Sequence, residues 1–122
     1  TGTADALKLH GELVSLDDCK SWIAKTWEMC DENGTSMEIY CSANGIQSVY
    51  SKLKGISQSA LSENKIYLEQ ILELAAKDDK VAIATWQTVS KRLADLLFER
   101  ITTIYRGWQN NFSFIDQNRT PL

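Results

Sequence analysis

An apolar stripe near the end of this chain limits what it can fold into more than any other feature. Ala82, Trp86, Val89, Leu93, Leu96, Leu97, Ile101, Ile104 and Trp108 recur mostly at intervals of three and four. Only a helix of 3.6 residues per turn brings such positions onto one face. Lys91, Arg92, Asp95 and Glu99 fall largely outside the stripe, as an amphipathic helix with one wet side requires. Asp79 offers a cap at its start and Gly107 a stop near its end, a span of about 40 Å at 1.5 Å per residue. The central seam of Trp86, Val89, Leu93, Leu97 and Ile101 reads as the main source of hydrophobic stabilisation.

The segments upstream read in the same way. Ser15 is placed as an N-cap, with Asp17 and Asp18 at the positive end of the helix dipole. Leu16, Cys19, Trp22, Ile23, Trp27 and Cys30 then follow at helical spacing, and Asp31-Glu32-Asn33-Gly34 ends the run. Thr35 or Ser36 starts a second helical stretch through Met37, Tyr40, Cys41, Val49, Tyr50, Leu53 and Ile56, with Gly45 and Gly55 open to bending. The pattern strengthens through Ala60, Leu61, Tyr67, Leu68, Ile71, Leu72 and Ala75 until Lys77-Asp78-Asp79-Lys80 breaks it. A break that short between helices predicts an antiparallel hairpin. A short helix is expected over Ala4–His10, and no stretch alternates with period two. The expected class is therefore all-α: an antiparallel bundle of three long helices plus a short N-terminal helix. The 122 residues suit one domain, with 1–14 a weakly ordered segment and 110–122 a polar tail.

Charge and composition exclude several functions. Lys and Arg number 13 against 16 Asp and Glu, a net charge of −3, which argues against a nucleic-acid partner. No apolar run reaches the roughly 18 residues of a transmembrane helix. No signal peptide is legible, and Thr1 leaves the nature of the N-terminus open. Cys19, Cys30 and Cys41 lie eleven residues apart, without the close pair that zinc sites use. They read as small buried hydrophobes, with a Cys19–Cys41 or Cys30–Cys41 bridge left open for an oxidising compartment. Asn33-Gly34-Thr35, Asn111-Phe112-Ser113 and Asn118-Arg119-Thr120 are glycosylation sequons, which keep a secreted location in view beside the favoured cytoplasmic one.

Catalytic chemistry is not legible. His10 is the only histidine, so a triad would depend on the least patterned segment of the chain. There is no Gly-rich phosphate loop and no His-Glu-x-x-His. Asp31-Glu32-Asn33-Gly34-Thr35 lacks the alternating ligands of a calcium loop. Glu69 and Glu73 stand one turn apart without the histidine partners of a di-metal site and read as a solvated face. The chain is expected to be no enzyme and to hold no cofactor or metal.

The four Trp residues point instead to contact surfaces. Trp22, Trp27, Trp86 and Trp108 serve either as core and rim or as parts of an exposed apolar patch. With Leu93, Leu97 and Ile101 they form the candidate interaction surface. From about Ile46 to Phe112 the chain resembles the phasins, proteins that coat polyhydroxyalkanoate granules in bacteria. The resemblance rests on Leu72-Glu73-Leu74-Ala75-Ala76-Lys77-Asp78-Asp79 closing one amphipathic helix, and on Trp86-Gln87, Ala94 and Tyr105 in the next. It implies that an apolar stripe binds a polyester or lipid-like surface while the charged face stays in water. The rival readings are a helical module that binds a protein (a chaperone, adaptor or inhibitor) and a secreted helical factor; a homo-oligomer is left open under each. A coat protein predicts a loosely closed bundle that opens onto apolar surfaces. A binding module predicts a closed core with a separate exposed patch, so the shielding of Trp86, Leu93, Leu97 and Ile101 discriminates between them.

Overall fold

The computed structural model describes residues 5–15, 18 and 23–119. These residues are mostly helical, but they also form two small antiparallel sheets, and the class is mixed α/β. The expected all-α bundle of three long helices with a short N-terminal one is not formed. In chain order the elements are β1 (Leu7–Leu9), β2 (Glu12–Val14), β3 (Met29–Cys30), a 3-10 turn (Met37–Tyr40), α1 (Ala43–Lys54), α2 (Gln58–Glu63), α3 (Leu68–Ala76), α4 (Lys80–Arg106) and β4 (Ser113–Phe114). Only α4, with 27 residues, is long. The chain divides into two compact units, Glu38–Ala94 and Thr1–Met37 with Asp95–Leu122, and α4 contributes residues to both.

In the unit of residues 38–94, the stretch expected as one or two long helices is cut into short ones by strong caps. Ser42 Oγ accepts the Gly45 amide to start α1, and Gly55, at φ 75°, ends it with its N–H on the Ser51 carbonyl. Ser57 Oγ accepts from Ala60 N at 3.2 Å to start α2, and Asn64 closes it by donating Nδ2 to the Ala60 carbonyl. Gln70 Oε1 accepts the Tyr67 amide at the start of α3. Each cap satisfies an amide or carbonyl that a helix end leaves open, so a local stop outweighs a helical period that runs on. Tyr50, Leu61, Ile71 and Ala82 form the buried core, with Ile66, Leu74, Ala75, Val81 and Trp86 packed against it. Gln47, also buried, donates Nε2 to the Ile66 carbonyl at 2.8 Å and accepts from Gln58 Nε2 at 3.0 Å. Gly45 packs directly on the 3-10 turn: a Cβ there would stand 1.9 Å from the Ile39 carbonyl oxygen. Only a residue without a side chain permits that approach.

In the other unit, the segment expected as the N-terminal helix is a β-hairpin. Leu7 pairs with Val14, Lys8 with Leu13 and Leu9 with Glu12. The two-residue loop His10-Gly11 has φ 51° and 83°, the doubly left-handed form that fits the twist of a tight hairpin. Leu7 and Ile23 form a small buried cluster with Leu9 and Val14 against it. The first expected long helix starts as placed, with Asp18 helical and its amide on Ser15 Oγ at 3.2 Å, but it does not run on: Ile23 to Glu28 bends and turns, and Met29-Cys30 enters a strand. Met29 pairs with Phe114 and Cys30 with Ser113, which draws part of the expected polar tail into the fold. Asp31 Oδ1 accepts the amides of Asn33 at 2.9 Å and Thr35 at 3.0 Å, so Asn33-Gly34 closes a turn rather than a helix. Cys19 and Trp22, which belonged to that expected helix, lie outside the described residues.

Helix α4 starts and stops where the sequence places it. Asp79 Oδ1 accepts the Ala82 amide at 2.8 Å, and Gly107, at φ 81°, returns its N–H to the Thr103 carbonyl. Its buried positions, however, are Ala82, Thr85 and Val89 in one unit and Leu96, Glu99 and Thr103 in the other. Of the expected seam only Val89 is buried; Leu93, Leu97 and Ile101 are exposed. The buried stripe is disguised by polar residues that find partners. Thr85 Oγ1 donates to the Val81 carbonyl at 2.8 Å, and Thr103 Oγ1 to Glu99 Oε1 at 2.6 Å. A satisfied hydroxyl is buried at little cost, so a hydropathy stripe misplaces the core face.

Candidate functional site

The C-terminal half of α4 presents two opposite faces. On the inner face Leu96, Glu99 and Thr103 are buried. Beside them, Arg100 Nη2 donates to Asp5 Oδ1 at 2.7 Å and lies 3.3 Å from Thr26 Oγ1, while Nη1 reaches Glu99 Oε2 at 3.3 Å. Asp5 also accepts the Thr26 amide and hydroxyl, both at 2.8 Å. Burial alone would raise the Asp5 carboxyl, but Thr26's two hydrogen bonds and the Arg100 charge outweigh it and hold it below its usual 3.8. This network clamps α4 to residues 5 and 26 within one unit, and so fixes which side of the helix turns outward.

The outward side is apolar. Leu97, Phe98, Ile101, Ile104 and Tyr105 are each between 50% and 82% exposed, within little more than two helical turns. Single exposed apolar residues are ordinary, but a contiguous set marks a contact surface. An open groove of about 350 Å³ runs along its flank, lined by Phe98, Ile101, Thr102, Tyr105 and Arg106. Arg106 is exposed, and its guanidinium has no ion pair among the described residues.

The candidate surface read from sequence separates into parts. Leu97 and Ile101 share the outward face, and Leu93 is exposed on the same helix at 37%. Trp86 packs against the core of residues 38–94, with its indole N–H buried and lacking an acceptor among the described residues. Trp108 stacks on Phe114 with ring centroids 5.0 Å apart, and Arg119 lies over that Phe ring while pairing with Glu28 at 3.2 Å. Trp108 is thus the bracket of the β3–β4 region rather than part of the outward face. Trp27 is half exposed, and Trp22 lies outside the described residues. Phe98, Ile104, Tyr105 and Arg106 complete the face that the Trp-centred reading missed. Spacing could have found them, since positions 97, 101 and 104 and positions 98, 101 and 105 are neighbours on a helix surface.

Elsewhere the chemistry is sparse. Cys30 and Cys41 are not bridged to each other, and burial, with Asp31 adding to it, pushes the Cys30 thiol up and away from a reactive thiolate. Among the described residues no three His, Cys, Asp or Glu come together in a metal-binding group, and no helix is long and apolar enough to cross a membrane. Comparison of the chain with protein-family models, with curated proteins and with solved structures found no match in any of the three.

Proposed function

We propose that this protein is a non-enzymatic interaction module that binds a protein partner through the outward apolar face of α4. The observation that carries the reading is the exposure of Leu97, Phe98, Ile101, Ile104 and Tyr105 on a helix whose other side is fully engaged. The buried core of residues 38–94 forms without these residues, which matches a closed core with a separate patch. A phasin-like coat is the second reading, supported by the resemblance over residues 46–112 and by the same exposed stripe.

One experiment addresses both. A photo-crosslinking residue at position 101 should capture a discrete partner in cells, and the double substitution Leu97→Asp with Ile101→Asp should abolish capture without lowering the unfolding midpoint. Adsorption of the unmodified protein to polyester particles, lost in the same double variant, would instead support the coat reading. Unchanged behaviour of the double variant in both assays would sink both readings.

A further inference from the structure

The groove beside the apolar face has a charged end, and that end restricts what can dock. It is lined by Phe98, Ile101, Thr102 and Tyr105, with Arg106 supplying the charge. The other arginine of this half-helix is already committed, since Arg100 is held by Asp5 and Glu99. Arg106 therefore offers the unpaired cation of the groove among the described residues. Placed at the last turn of α4, it also sits next to the negative end of the helix dipole, where a cation is favoured.

We propose that the groove receives an acidic amphipathic segment of a partner protein. An apolar side chain of that segment fills the space between Phe98 and Tyr105, and a neighbouring Asp or Glu pairs with the Arg106 guanidinium. Charge complementarity selects this occupant over a basic or uncharged one, because a fork of N–H donors beside an apolar wall is suited to a carboxylate. The groove is an open concavity of about 350 Å³, large enough for one or two side chains. An anionic membrane is a poorer fit. Peripheral helices that bind one carry several cations on their polar flank, whereas among the described residues this groove offers one unpaired cation, Arg106. The proposal rests on α4's outward face being the contact surface and adds the chemistry of what lies on it.

The test uses the full chain and a synthetic helical peptide with Leu at positions i, i+3, i+4 and i+7 and Glu on the flanks. A second peptide carries Lys in place of every Glu, and binding is read by fluorescence anisotropy at low and high salt. The acidic peptide should bind more tightly, and salt should weaken it, because an exposed ion pair is screened. Arg106→Glu should weaken the acidic peptide by roughly fivefold or more and turn the preference toward the Lys peptide. Ile101→Asp should weaken both peptides. If both bind equally and Arg106→Glu changes neither, while Ile101→Asp still abolishes both, the acidic partner is overturned and the apolar contact surface stands. Failure of both peptides overturns the proposal, as does binding to vesicles of anionic phospholipid in preference to the acidic peptide. Circular dichroism of each variant reports whether α4 is intact.

Discussion

Residues 38–94 and the unit that joins the N-terminal segment to residues 95–119 are held together by different means. The first has one apolar core, Tyr50, Leu61, Ile71 and Ala82, closed by short capped helices. The second has the β1–β2 hairpin over a small Leu7–Ile23 cluster, the buried Met29 and Met37, a two-residue strand pairing, a stacked Trp108–Phe114 bracket and the Asp5–Thr26–Arg100–Glu99 network, and it leaves the apolar stripe of α4 facing outward. In the first unit one contiguous set of hydrophobic residues stabilises the fold. In the second, polar contacts orient the helix and many of its large apolar residues remain available for contact.

The comparison is easiest to break at the core. Ile71→Ala removes a fully buried side chain and should cost about 2–5 kcal/mol, visible as a large fall in the denaturant midpoint. A small effect would mean that residues 38–94 are not held by this cluster.

Gly45→Ala comes next. Alanine favours a helix by up to about 1 kcal/mol over glycine, yet here its Cβ would collide with the Ile39 carbonyl, and the net loss should be about 1–3 kcal/mol. A stabilised variant in thermal unfolding would show that the 3-10 turn yields easily.

The polar clamp of the second unit should show in pH dependence. Asp5 has a folded-state pKa below its unfolded value, so its contribution is fully present above about pH 4 and is lost as pH falls through the folded value. Asp5→Asn should cost about 1–2 kcal/mol at neutral pH, and the gap between variant and parent should narrow below pH 4. A gap that stays constant on acidification would remove the carboxylate from the clamp.

The smallest effect is expected at the outward face. Leu97→Ala, at a residue 62% exposed, should change stability by no more than about 0.5 kcal/mol while weakening partner binding. A loss of several kcal/mol there would erase the distinction between the two regions.

Much of this was legible in local chemistry. Asp79 and Gly107 bound α4 because a carboxylate cap and a left-handed glycine act through backbone groups a few residues away. Leu97 and Ile101 are exposed, which removes them from the expected core seam. The hairpin at His10-Gly11 had a local signal as well, an Xaa-Gly pair between short apolar runs, which a helical expectation over Ala4–His10 passed over. The Met29–Phe114 and Cys30–Ser113 pairs had none, since strands of two residues are too short to alternate and their partners lie more than 80 positions apart.

By itself, then, the sequence determined the helical period of α4, its ends and the amphipathic character of most segments, because each depends on contacts within a turn or two. Only the tertiary structure decided which side of α4 is buried. That choice rests on Arg100 reaching Asp5, 95 residues away, and on Glu99 and Thr103 satisfying one another in the interior. Hydropathy alone assigns such polar residues to water. Burial with their hydrogen bonds complete turns the apolar stripe outward instead.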